Sequence, residues 1–154
     1  MCNNTLLGQR LNLSSSSDIF DNLIKKNEWE TLIRLFSLNI LDINHRDCKG
    51  RNILYFAILN KKYEYIKILF DLRVNSRVNF SLNAINFAVC LDDIKSLEIL
   101  LKCGLSVDTL DEIGTSPLIY AILYNKKKST EFLIKSGADL ELEDFMGNCA
   151  KFLL

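Results

Sequence analysis

Residues 111–139 read DEIGTSPLIYAILYNKKKSTEFLIKSGAD, and the order of residue types within them sets out a small structural unit. Ser116 before Pro117 is a helix N-cap followed by a residue whose fixed φ suits the first helical position. An apolar segment at helical spacing follows. It is broken by the polar run Asn125–Lys128 and resumed through Phe132, Leu133 and Ile134. Gly137 then stands where a helix closes in the left-handed conformation. The pattern predicts two short helices, a tight turn between them and a glycine-terminated end.

The same frame recurs. ILYFAILNKKYEYIKILFDLRV (53–74), AINFAVCLDDIKSLEILLKCGL (84–105) and PLIYAILYNKKKSTEFLIKSGA (117–138) align with Ala57, Ala88 and Ala121 at the fifth place. Leu69-Phe70, Leu100-Leu101 and Leu133-Ile134 follow twelve and thirteen residues later, and Arg73, Gly104 and Gly137 sixteen later. An earlier unit fits the frame through Leu23, Leu32, Leu35-Phe36 and Asn39, so the anchors lie 34, 31 and 33 residues apart. A fixed period of this length signals a stack of supersecondary units. The small alanine lets the paired helices approach closely, and Asn52 and Asn83 take the capping place of Ser116.

These positions resemble the ankyrin repeat family. Residues 111–139 are similar to its D-x-x-G-x-T-P-L-H-x-A…L-L-x-x-G-A-D pattern, with Ser116 for threonine and Ile119 for histidine. DCKGRNILYFA keeps Asp47, Gly50, Leu54 and Ala57, and DFMGNCAKFLL opens a further unit with Asp144 and Gly147. The third unit departs, with Val78 and Ser81 in place of the Asp and Gly and a connection shorter by about two residues. A misshapen hairpin or a tight loop is expected there. The resemblance implies an all-α solenoid of stacked helix-turn-helix pairs joined by β-hairpin-like loops. Its single domain covers 18–154, with units at about 18–46, 47–77, 78–110 and 111–143 and a C-terminal cap at 144–154. Residues 1–17, polar with four consecutive serines, are expected to be disordered.

Composition narrows the function. Nineteen basic and nineteen acidic residues cancel, which gives no support for a nucleic-acid binder. The balance hides an asymmetry: residues 1–77 hold twelve Lys/Arg against eight Asp/Glu, and residues 78–154 seven against eleven. In an elongated molecule that makes a dipole. Five cysteines without a C-x-x-C pair, and a single histidine, suit reduced cytosolic thiols rather than disulfides or zinc. No apolar run reaches the roughly 20 residues a bilayer needs, and the N-terminus lacks the plan of a Sec-type signal. A cytoplasmic location is expected, with delivery into a host cell as the alternative.

Residues 45–52, HRDCKGRN, match the letters of a protein-kinase catalytic loop. A kinase also needs a Gly-rich loop, a strand lysine paired to a helix glutamate and a D-F-G. Only 44 residues precede His45, none forming G-x-G-x-x-G, and the downstream Asp144-Phe145 continues as Met146. Asp47 and Gly50 instead belong to the turn that recurs as Asp111/Gly114 and Asp144/Gly147. Enzyme activity is not expected, His45 is read as a solvated loop residue, and no cofactor or metal is implied. Cys48 and Cys90 are expected on an exposed face, and Lys126–Lys128 at a solvated corner between two helices.

In the family the sequence resembles, function is implied to be protein recognition through hairpin tips and first helices. By frame, the hairpins offer Arg46, Cys48, Lys49, Arg51, then Arg77, Asn79, Phe80 and Leu82. Leu110, Glu112, Ile113, Thr115, Glu143, Phe145, Met146 and Asn148 follow. The first helices add Leu59, Asn60, Cys90, Leu91, Leu123 and Tyr124. The apolar members are expected to form an exposed stripe flanked by Arg46, Lys49 and Arg51, the mark of a partner site. The resulting expectation is a non-enzymatic module, monomeric when unbound, that binds and inhibits or tethers one protein, as an immunity protein or host-factor mimic does. It would contact no nucleic acid and no membrane. The alternatives are a secreted effector with an N-terminal export segment and a self-associating structural subunit.

Overall fold

The computed structural model describes residues 16–154. The disordered segment expected over 1–17 and the export address placed there lie outside the described residues, apart from Ser16 and Ser17. These two begin a helix instead. Four helix pairs follow in order: α1 (Ser16–Lys25) with α2 (Trp29–Ser37), α3 (Ile53–Leu59) with α4 (Tyr63–Asp71), α5 (Ala84–Cys90) with α6 (Ile94–Lys102), and α7 (Pro117–Leu123) with α8 (Lys127–Lys135). A last helix, α9 (Ala150–Leu153), packs on α7. The inner helices α3, α5 and α7 pack side by side, as do the outer helices α4, α6 and α8. The described residues form an all-α solenoid whose only β features are two isolated bridges inside loops.

Local chemistry starts and stops these helices. The side chains of Asn52, Asn83 and Ser116 accept the backbone N–H of Tyr55, Asn86 and Ile119, capping the three inner helices. Each inner helix ends in a residue with left-handed backbone, Lys61, Asp92 or Asn125, which turns the chain into the outer helix. The outer helices close the same way at Asn39, Arg73, Gly104 and Gly137.

One continuous core runs through the stack. Ala57, Ala88 and Ala121 are wholly buried between the paired helices, and Leu69, Leu100 and Leu133 fill the space beneath them. Each such leucine contributes about 1.5–3 kcal/mol of burial. Phe20, Leu32 and Phe36 close the N-terminal end. There Trp29 stacks on Tyr65 with ring centroids 5.6 Å apart and donates its indole N–H to Asn27.

Polar bonds between neighbouring units keep them in register. Asn44 Oδ1 accepts the N–H of Asn75 and Asp108 Oδ1 that of Asp139, each 31 residues along. Asp92 Oδ1 accepts both the N–H and the hydroxyl of Ser129. The Tyr63 hydroxyl donates to Asp93, the residue that caps α6.

Candidate interaction surface

Three of the four loops joining successive units are built around one carboxylate. Asp47 Oδ1 accepts the backbone N–H of Lys49 and Arg51, both at 2.9 Å. Asp111 does the same for Ile113 and Thr115, and Asp144 for Met146 and Asn148. Gly50, Gly114 and Gly147 sit at φ 73°, 75° and 80°, where a side chain is strained. The third loop is tight, as its length requires, but it is not misshapen. Val78 N–H still bonds to the Leu82 carbonyl, while Asn79 Oδ1 takes the N–H of Ser81 and Leu82. A side-chain acceptor shifted by one residue does the work of the missing aspartate.

Neighbouring tips lean on one another. The Phe80 ring lies against Gly50, so that a Cβ there would fall inside the ring, and the Phe145 ring covers Gly114 in the same way. Arg77 pairs with Glu112 across the third and fourth tips. Arg46 donates to the carbonyls of Gly50 and Arg77, stapling the second tip to the third.

Most of the apolar residues picked out by frame stand in solvent. Phe80 is 70% exposed, Ile113 61%, Phe145 77% and Met146 85%. Leu59, Leu91, Leu110, Leu123 and Tyr124 are exposed too, with Tyr124 stacked on Tyr120. Lys49, Glu112 and Glu143 are likewise exposed.

Several expected surface residues are committed inward. Leu82 is half-buried against the core and Thr115 is buried. Arg46 is held by its two carbonyls. Arg51 grips Asp47 at 2.5 Å and lies over the Tyr55 and Phe56 rings. Of the expected basic flank, only Lys49 reaches solvent without an ion-pair partner among the described residues. His45 is not a solvated loop residue either, since it is half-buried with its ring edge-on to Phe20 at 5.1 Å. Cys48 is exposed, but Cys90 is half-buried, and burial pushes its thiol pKa up. Lys127 and Lys128 are exposed while Lys126 is half-buried at the start of α8.

The kinase-like letters have a structural explanation. Asp47 is 7% exposed, with one oxygen given to two backbone N–H groups and the other to Arg51. Burial pushes its pKa up, but the bonds from Arg51 and from the Arg51 and Lys49 N–H groups together outweigh this and hold it below the ordinary carboxylate value. A carboxylate so engaged is a loop clasp. Among the described residues no group of three His, Cys, Asp or Glu side chains is placed to hold a metal, and no helix is long and apolar enough to cross a membrane.

Comparison with known proteins agrees with this geometry. Residues 70–144 match the family model of ankyrin repeats, three copies. In an alignment 127 positions long that covers 78% of its length, the chain is 28% identical to the potassium channel AKT2/3 of Arabidopsis thaliana, and it spans 16% of that channel. Ankyrin repeats generally mediate protein–protein interaction. With their carboxylate-clasped tips, alanine-seated helix pairs and glycine-closed ends, the described residues form an all-helical solenoid that carries ankyrin repeats over residues 70–144.

Proposed function

We propose that this chain is a non-enzymatic cytoplasmic module that grips one protein partner along its loop tips and inner helices and acts by occluding or tethering it. The carrying observation is the row of solvent-exposed apolar side chains on successive tips: Phe80, Ile113, Phe145 and Met146. A scaffold with no partner would gain solubility by placing polar groups there, and contiguous exposed apolar surface marks a docking site. The rings of Phe80 and Phe145 are already seated on glycines, so little side-chain freedom is lost when a partner covers them. Asp47, the one residue that invited a catalytic reading, is engaged in its own loop.

Affinity capture with the intact chain, followed by mass spectrometry, supplies a partner, and substitution then tests the face. Ile113→Asp and Tyr124→Ala are expected to weaken binding by about tenfold or more, the loss of roughly 1.4 kcal/mol or more from a central anchor. Their helical circular dichroism should match the parent. Unchanged affinity in both variants would place the contact elsewhere, and lost helicity would make these side chains framework.

A further inference from the structure

The loops that carry the apolar tips are sharply divided by charge. The connections 38–52 and 72–83 contain five Lys/Arg (Arg46, Lys49, Arg51, Arg73, Arg77) against Asp42 and Asp47, a surplus of three positive. The connections 103–116 and 136–149 contain three and four Asp/Glu and no Lys or Arg, a surplus of seven negative. The sign changes between the third and fourth tips. There Arg77 meets Glu112, beside a cleft of ≈ 330 Å³ lined also by Asn83 and Leu110. Apolar side chains continue across the boundary, Phe80 on one side and Ile113 on the other, while Phe145 and Met146 stand among the acidic residues. Overall neutrality conceals this division completely.

We infer, on the reading of this face as a protein-binding surface, that it takes one polypeptide segment whose own charges are segregated. A basic half with apolar side chains lies over the fourth and fifth tips, and an acidic half lies over the second and third. Charge complementarity carries the argument. A uniformly basic segment meets the exposed Lys49, beside Arg46 and Arg51, at one end, and a uniformly acidic one meets the exposed Glu143, beside Asp144, at the other. Like charges brought together cost affinity and reject wrong partners and wrong orientations. Packed helices lie about 8–10 Å apart, so three steps between four tips span about 24–30 Å. An extended segment of about nine residues covers that distance.

The probe is a random peptide library displayed on phage, with peptides longer than this span, panned against the full chain at low salt. Wild type is expected to enrich peptides with basic and acidic residues at opposite ends and apolar residues between them. Their binding should fall about tenfold or more in high salt, as screening predicts. The Glu112→Lys/Glu143→Lys variant, checked for helicity, should select a different set that lacks the basic end. If that variant does not fold, the milder Glu143→Gln must still weaken the wild-type peptides. Enriched peptides without charge segregation, an unchanged set from the variant, or no enrichment would overturn the inference. So would a concentration-dependent dimer in sedimentation that Lys49→Glu dissolves, because the occupant is then a second copy. Unsegregated peptides that still require Ile113 would sink this inference and leave the binding face standing. Indifference to Ile113→Asp would remove the face itself.

Discussion

Asp47 binds two backbone N–H groups and a guanidinium while almost wholly withdrawn from water. Its folded pKa therefore lies below the ordinary value of 3.8. A group depressed in this way adds stability that is fully present above the unfolded pKa and is lost as pH falls through the folded one. Asp47→Asn is expected to cost about 1–3 kcal/mol at neutral pH, the scale of charge-assisted bonds broken inside a structure. The gap between parent and variant should close as the pH is taken below 3.8. Urea unfolding at neutral and acid pH measures both effects, and a gap independent of pH would mean that the carboxylate charge contributes nothing.

At the scale of the element, helix endings offer a cleaner test. Arg73 occupies the place that Gly104 and Gly137 fill in the next two units, and its φ of 67° is left-handed. An L-residue pays about 1–2 kcal/mol there, and glycine returns part of that gain through its looser unfolded chain. Arg73→Gly should raise stability by about 0.5–1 kcal/mol, seen as a higher thermal midpoint; a lower midpoint would show that the arginine side chain contributes more than the backbone costs.

These endings were legible in the sequence because they repeat at a fixed interval, as were the N-caps, the buried alanines and the exposure of Ile113, Phe145 and Met146. The inward commitment of Arg46 and His45 was not, because their partners lie far along the chain. Arg46 meets the carbonyl of Arg77 31 residues later, and His45 meets Phe20. The repeat interval was the available signal for the first, and no local signal existed for the second. The third loop takes the tight form of the two expected, and its acceptor Asn79 stayed hidden because frame alignment does not show a shift of one place. Asn86 stands where the fourth unit has Ile119, buried with neither amide atom paired among the described residues, and nothing in the structure explains it.

The whole molecule is a chain of near-neighbour contacts, so its cooperativity depends on every junction. Ala88 is wholly buried in α5, which packs on α3, α6 and α7 at the middle of the stack. Ala88→Leu should cost about 1–3 kcal/mol by overpacking. Because the damaged unit couples the two halves, the unfolding transition should also broaden or split. A denaturation curve followed by far-ultraviolet circular dichroism decides this, and a single transition as steep as the parent's would show that the junction tolerates the larger side chain.

One consequence follows from the ring stack at the N-terminal end. Trp29 is the only tryptophan in the chain, and it is sealed against Tyr65 where α2 meets α4. Tryptophan emission therefore reports the melting of that seam and is blind to the acidic, apolar loops at the opposite end. An optical assay of events there needs a dye or a second indole placed beyond α6.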